Sequence, residues 1–483
     1  MSFAVAERTA AVLAMEEDRR LPRTLMGGTK AMRAAGQVFL PIEPAESQRA
    51  YELRLARTSL FNGYKKTVYD MAGKVFAKPI AVGDDVPENI ARYTENVDLT
   101  GRNLDVFAHA VFVDALAEGI SYILVDMDKP VLGTDGRPRV LTRAQAAEMN
   151  RRPWMVHIPA ANIIGWRSKA VNGVERLTQL RFFETVAEDD GEFGEKLITQ
   201  VRVLNADTTG PVTWAIYRAT NTGWAKHDEG SATIKEIPLC PVYVSRTGFM
   251  QGKPALLDLA EVNLTHWQSQ SDQRNILHVA RVPILFGAGF EDSGPIEIGA
   301  SRMIRSSDPA AKLVFVEHTG AAIGAGRQDL KDLEEQMQVL GLELLVSKPG
   351  GQTATGEAID QAKMNSALAM MALALKDALE QALGFMALYD GLPKDVAGGS
   401  LTINTDYGIS LRGAQDTTAL LEAVKAGIIT RETCIRELQR RGILSDDIDE
   451  AEEAQRALDE GMSPADLADP EEAGGRFGTD VPA

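Results

Sequence analysis

Apolar residues return at helical spacing near both ends of this chain and at strand spacing in between. Over residues 45–78, Tyr51, Leu53, Leu55, Leu60, Phe61, Tyr64, Val68, Met71 and Val75 recur near helical spacing, with Arg54, Arg57, Lys65 and Lys66 between them. That pattern predicts one amphipathic helix, ended by Pro79. Ahead of it, an Ala/Glu/Arg-rich stretch predicts a short helix before Gly27-Gly28. A further helix is predicted over 103–118, with Gly119 as a left-handed cap. Ser121-Tyr-Ile-Leu-Val-Asp126 then reads as a buried strand. From Trp154 to Val244 the period is two: stretches 155–158, 177–183, 198–204 and 212–217 alternate, separated by turns such as Glu188-Asp-Asp-Gly191.

From Pro254 the helical period resumes through Leu256, Leu259, Val262, Leu264 and Trp267 to Leu277. Three strand-like pieces follow at 282–286, 296–298 and 312–316, set in Gly- and Ser-rich turns, and predict a small α/β knob. A helix over 329–341, a Gly-rich break over 347–355 and an Ala/Met/Leu-rich helix over 356–388 come next. The last predicted elements are a strand at 401–405 and two helices flanking Ala426-Gly-Ile-Ile-Thr430. Thr430 is placed to cap the second of these, and Glu432 puts a negative charge in its first turn. The acidic stretch from Ser445 is expected to be partly disordered. There is no internal repeat.

A chain of 483 residues, 45% hydrophobic and 25% charged, has room for about two to four cores of ordinary globular composition. No apolar run approaches the ~20 residues of a membrane helix. Glu7 and Arg8 interrupt what would have to be the apolar part of a secretion signal. Cys240 and Cys434 form no CxxC pair, which fits folding in a reducing cytosol. The net charge of −17 argues against a tight nucleic-acid grip. It does not exclude a channel along which DNA slides on weakly interacting walls.

Candidate chemistry is sparse. Gly351 and Gly356 have phosphate-loop spacing, but Glu357 and Ala358 stand where a nucleotide needs Lys and Ser/Thr. Asp126 and Asp128 close a buried strand, where metal-binding carboxylates occur, although such aspartates are more often solvated turn residues. Among His109, His157, His227, His266, His278 and His318 no pair has metal-ligand spacing. Gly299-Ala-Ser-Arg-Met303 lacks the final glycine of a nucleophile elbow. Asn263-Leu-Thr265 matches a glycosylation sequon without a secretion signal to give it meaning. The Met- and Ala-rich run of 362–386 fits a helix packed within its own subunit, against copies of itself, or both.

In the order of its parts the chain resembles a tailed-bacteriophage portal protein, the head-to-tail connector. The likeness is carried by Tyr51-Glu-Leu-Arg-Leu-Ala-Arg-Thr-Ser-Leu-Phe-Asn-Gly-Tyr64 with Val75-Phe-Ala-Lys-Pro79, by Glu118-Gly-Ile-Ser-Tyr-Ile-Leu-Val-Asp126, and by the 263–277 helix leading into Val282-Pro-Ile-Leu-Phe-Gly287. Gln336-Met-Gln-Val-Leu-Gly341 followed by Thr353-Ala-Thr-Gly-Glu-Ala-Ile359, and Ala426-Gly-Ile-Ile-Thr-Arg-Glu-Thr433, add to it. The resemblance implies an α+β subunit with a helical and β-rich wing, two stem helices, a small α/β clip, a long helix after a tunnel loop, and a short helical crown. The implied boundaries are 1–253 for arm and wing, 254–281 for the first stem helix and 282–327 for the clip. They continue with 328–342 for the second stem helix, 343–357 for the tunnel loop, 358–414 for the long helix and a wing strand, and 415–483 for crown and acidic tail.

It implies further a ring of about twelve copies at one capsid vertex of the virion, made in the host cytoplasm. Double-stranded DNA would pass through it during packaging and ejection without sequence specificity. Its partners would be the terminase large subunit, the major capsid protein and a head–tail adaptor, with no membrane, cofactor, metal or catalysis. Lys348, Pro349, Gly350, Gly351, Gln352 and Thr353 would form the DNA-facing loop, its glycines adapting to the moving duplex. Arg302, Arg305 and Lys312 would meet the motor or adaptor at the clip. Two rival readings are a metal-dependent transferase built on Asp126 and Asp128, and a structural scaffold that forms no ring.

Overall fold

The computed structural model describes residues 4–129, 131, 142, 145, 148–207, 210–281, 284–289, 308–316, 321–342, 354–393, 398–405, 407, 414–440, 444 and 448–459. It divides into two compact units, Met1–Asp406 and Tyr407–Ala483.

The first unit begins with α1 (Ala10–Met26) and α2 (Gly28–Ala35), parted at Gly27-Gly28 as the sequence predicts. The expected single helix over 45–78 is instead two, α3 (Gln48–Arg57) and α4 (Gly63–Val75). Local and distant polar groups end one and start the other. The Thr58 hydroxyl donates to the Arg54 carbonyl at 2.8 Å, and Asn62 accepts from the Lys65 N–H at 2.9 Å as an N-cap. Asn263, about 200 residues on, then accepts from the Tyr64 N–H at 3.0 Å and donates to the Phe61 carbonyl at 2.7 Å. This fully buried amide satisfies the backbone groups that the break frees.

After β1 (Ala81–Val82) and α5 (Glu88–Tyr93), α6 (Leu104–Glu118) starts on an Asn103 cap and stops at Gly119, whose φ is +83°. β2 (Ile120–Asp126) is buried along nearly its whole length because it is the middle strand of an antiparallel sheet ordered β3-β2-β9. Its neighbours are β3 (Trp154–Ile158) and β9, Leu239–Tyr243.

Between these two lies an antiparallel meander of five strands: β4 (Ile163–Val171), β5 (Val174–Asp190), β6 (Gly194–Asn205), β7 (Thr213–Thr220) and β8 (Gly223–Ser231). β5, β6 and β7 contain the alternating stretches read from the sequence. β4 and β8 were not foreseen, because they are the two edge strands and much of their length faces solvent. The acidic 188–191 stretch is strand up to Asp190, with the turn beginning at Gly191, φ +80°. β5 and β6 thus run on as a two-stranded ribbon past their neighbours, since β4 pairs no further than Phe182 and β7 no further than Gln200.

Two short strands follow β9, β10 (Arg246–Gly248) and β11 (Gln251–Gly252). Then come α7 (Leu257–Ala280), β12 (Ile284–Ala288), β13 (Lys312–Val316), α8 (Ala321–Met337), α9 (Ala354–Tyr389) and β14 (Leu401–Thr402), which pairs with β1. The strand expected at 296–298 lies outside the described residues. α8 starts ahead of the predicted Asp329, because Gly324 and Gly326 read as turn residues but sit within the helix. A side chain at Gly326 would overlap the Gln273 amide, so this glycine serves the close approach of two helices.

One core lies between α1, the three-stranded sheet and the meander, built from residues such as Val12, Ile120, Tyr122, Leu180, Phe182 and Leu204. The sheet also packs against α6 and α9, which bury Phe107, Val111, Phe112, Leu375 and Leu379.

The second unit holds α10 (Ala414–Lys425), α11 (Arg431–Arg440) and α12, Glu450–Asp459. Thr430 caps α11, accepting from the Thr433 N–H at 3.2 Å, as the sequence predicts. The acidic stretch expected to be partly disordered includes the helix α12, whose Glu450 accepts from Arg436 and whose Ala454 is buried. Residues 460–483 lie outside the description.

A buried cationic knot joins the start of the chain to its middle. Arg19, 2% exposed, donates through Nε to the Glu118 carbonyl at 2.9 Å and through Nη2 to the Gly252 carbonyl at 3.0 Å. Arg23 clasps both Glu118 carboxylate oxygens at 2.7 Å. Glu118 ends α6, Gly119 turns the chain into β2, and the Lys253 backbone presses so closely that any Cβ at Gly119 would overlap it. Gly119→Ala therefore carries a left-handed backbone penalty of about 1–2 kcal/mol and a steric overlap of about 1–3 kcal/mol more. Urea unfolding should show a loss of at least about 2 kcal/mol from these terms; an unchanged midpoint would contradict this account of the turn.

Candidate functional site

α7 and α8 form an antiparallel pair, since His266 lies beside Glu334 while Gln273, further along, reaches Ile323. Asn263, His266, Gln270 and Gln273 are spaced three, four and three apart, which puts them on one face of α7. This seam joins polar contacts to apolar ones, since Leu333 and Met337 of α8 are buried along it. Gln273 donates to the Ile323 carbonyl at 2.9 Å, and His266 Nε2 stands 3.4 Å from the Glu334 carboxylate. Behind the seam, Trp267 is fully buried. Ser271 binds Thr58 at 2.9 Å and Arg54 at 3.3 Å, which fastens α7 to α3. Arg54 is itself held by Glu46 at 2.7 and 2.8 Å.

His266 is 1% exposed and packs on the Phe61 ring at 5.3 Å. Burial holds its pKa below the ordinary histidine value, against the opposing pull of Glu334. Its Nδ1, the Trp267 Nε1 and the Gln270 Oε1 are buried without a partner among the described residues.

β12 and β13, which follow α7 and precede α8 in the chain, pair in register, Phe286 opposite Val314 and Ala288 opposite Lys312. Directly opposed residues share a face. Phe286 and Val314 are 56% and 50% exposed, so the hairpin shows an apolar surface to solvent. Of the residues expected to contact partners here, Lys312 is exposed on β13, whereas Arg302 and Arg305 lie outside the described residues. Lys348, Pro349, Gly350, Gly351, Gln352 and Thr353 also lie outside them.

At the alternative centre, the Asp126 carboxylate is already occupied by protein. Arg202 grips Asp126 through two hydrogen bonds of 2.6 and 2.9 Å, and the Asp128 carbonyl accepts from Arg151 at 2.8 Å. A carboxylate clasped bidentately by guanidinium has little left for a metal ion. No group of three His, Cys, Asp or Glu side chains among the described residues could hold one. Ser121, His157 and Asp114 meet, although no spacing in the chain announces it. Ser121 Oγ lies 2.9 Å and Asp114 Oδ2 3.5 Å from the same nitrogen, His157 Nε2. A catalytic triad uses opposite ring nitrogens, and Ser121 is fully buried, so this trio is a packing contact. Burial pushes the Cys240 thiol up, away from the reactive thiolate. Asn263 of the sequon is fully buried with its amide bonded, which leaves no room for a glycan. No described helix is long and apolar enough to cross a membrane.

Residues 255–390 match the family described as Domain of unknown function (DUF4055), a span from α7 through α9. No curated protein matches the sequence. Among solved structures, the chain is similar to a chain in the neck of a native gene transfer agent particle computed with C12 symmetry. The identity is 12%, the TM-score 0.39, and the match covers 78% of this chain and 89% of that one. A chain in the virion of a native gene transfer agent is similar at 11% identity and TM-score 0.37, covering 83% and 90%. Another, in the neck of an empty particle computed with C6 symmetry, has 11% identity and TM-score 0.36 with the same coverage. Likeness at this level decides neither mechanism nor partners.

The lowered pKa of His266 has a thermodynamic consequence. The unfolded chain takes up this proton near pH 6.5 and the folded one only below that, so the contribution of neutral His266 is fully present above about pH 6.5. It is lost progressively as pH falls through and below that value. Urea midpoints at pH 7.5 and pH 5.5 should therefore differ less for His266→Gln than for the unaltered chain. An equal pH dependence in both would mean that this histidine does not titrate as its burial requires.

Proposed function

We propose that this chain is the subunit of a phage portal, a ring at one capsid vertex through which double-stranded DNA is packaged and ejected. The reading is carried by one observation: an antiparallel helix pair, α7 and α8, interrupted by the exposed β12–β13 hairpin and followed by the 36-residue helix α9. This is the order stem, clip, stem, long helix that the sequence resemblance implies. In this reading β12–β13, with Lys312 exposed on it and Arg302 and Arg305 nearby in sequence, belongs to the clip on which the terminase large subunit and later the head–tail adaptor dock. The segment from Lys348 to Thr353 is the tunnel loop, and the meander belongs to the wing that meets the capsid shell.

The physics of such a part requires no bond chemistry, which agrees with the occupied Asp126 carboxylate and the buried Ser121–His157 contact. Strong phosphate binding grows with each neutralised charge and would brake a moving duplex. A chain of net charge −17 offers DNA a surface to slide past instead. The ring contains about twelve copies, is made in the host cytoplasm, and carries no cofactor.

Native mass spectrometry together with negative-stain imaging of the purified chain tests this directly. A closed ring of about twelve subunits is expected, and a monomer or dimer at every concentration examined would overturn the proposal in favour of a scaffold that does not close. The loop has its own test. Replacing Gly350 and Gly351 by Pro should leave the ring intact and lower packaged DNA per particle by about tenfold or more, because proline fixes φ where a loop must adapt. Unimpaired packaging by that variant removes the moving-loop role.

A further inference from the structure

α9 carries no charged residue from Met364 to Leu375. A helix that is apolar on all faces belongs in a buried setting. Over residues 367–375, the subunit itself covers one stripe, through Leu368, Ala372 and Leu375. On another face Met370 is 65% and Leu373 39% exposed. That face forms one wall of an open groove, with Met370, Met371, Ala374 and Asp377 along the helix. The opposite wall is Tyr243, with the Arg246 guanidinium laid over its ring at 4.7 Å.

Elsewhere in the same unit the chain presents a shape of the opposite kind. The turn Gln338–Leu342 at the end of α8 holds Val339 and Leu340 in solvent, 57% and 40% exposed. One and two helical turns earlier, Glu335 and Lys331 continue the row above Val339. The exposed apolar pair has Glu335 and Lys331 beside it, 3.8 Å apart, and the apolar groove has Arg246 and Asp377, so each patch carries one charge of each sign and the two sets can be laid opposite one another. Both belong to one chain, at different places on its surface.

We infer that the Val339–Leu340 knob of one copy seats in the Tyr243–Met370 groove of the next, with Glu335 facing Arg246. A contact between two different patches of identical subunits is head-to-tail, and repeated it closes a ring when the rotation allows. This inference rests on the ring reading above and names its joint. It also gives the exposed face of α9 the cover that its composition demands.

The test uses two full-length variants, Leu340→Asp with the knob disabled and Met370→Asp with the groove disabled. Both positions are exposed, so each variant should keep the thermal transition of the parent. In native mass spectrometry each alone should lose at least tenfold of its assembled fraction. Mixed in equal amounts, they retain one good knob and one good groove between them, and should form a heterodimer that grows no further. A charge exchange adds an independent readout: Arg246→Glu or Glu335→Arg alone should weaken assembly, and both in one chain should restore it. If the unaltered chain assembles while the variants assemble equally well, or while their mixture stays monomeric, this joint is wrong and the ring survives. An unaltered chain that stays monomeric overturns both.

Discussion

The constraint on which the first unit depends is the burial of Arg19, beside the half-buried Arg23, at the meeting of α1, α6 and the β9–β11 return. A guanidinium taken out of water must have its donors matched or the fold loses several kcal/mol. Arg19 does so by spending donors on two main-chain carbonyls, those of Glu118 and Gly252, which are far apart in sequence. Arg23 neutralises the Glu118 carboxylate, whose own pKa burial raises. The N-terminal helix is thereby tied at once to the start of the buried strand β2 and to the segment that launches α7. The start of α7 is fixed by that tie, together with the Asn263 bridge to the α3–α4 break.

Along the pair itself the physics changes. The body is closed by apolar packing, while α7 and α8 add amides, an imidazole and a carboxylate to the buried Leu333 and Met337. Polar seams are specified by hydrogen-bond geometry, and apolar ridges mainly by volume.

Elements whose signal is local could be read from the sequence. The Gly119 cap, the apolar run of β2, the alternation in β5 to β7 and the Thr430 cap depend on neighbours in the chain, and they stand where the pattern puts them. Features that depend on a distant partner could not be read. The break between α3 and α4 is closed by Asn263, and no periodicity around residues 58–62 announces an amide from another helix. The first turns of α8 were hidden by Gly324 and Gly326, of which Gly326 makes room for the Gln273 side chain. β4 and β8 are edge strands with much of their length in solvent, so they lack the clear alternation by which strands are recognised. Asp126 looked like a ligand because Arg202, the residue that occupies it, sits on another sheet. The candidate site was legible as an order of parts and not as contacts: Lys312 can be placed on its strand, while the residues expected to touch DNA lie outside the described structure.

The exposed face of α9 turns composition into an argument about assembly. A solitary soluble subunit gains nothing from twelve consecutive uncharged helical residues with Met370 and Leu373 in water. Single exposed apolar side chains are ordinary, but a continuous stripe beside a groove is a surface waiting to be covered. If two copies covered it symmetrically, Met370 would meet its own counterpart and association would stop at a pair. The knob at Val339 and Leu340 lies on a different patch, with Glu335 and Lys331 beside it to set against Arg246 and Asp377. Association through those two patches uses one face of each neighbour and leaves the other free, so it closes into a ring when the rotation between neighbours allows.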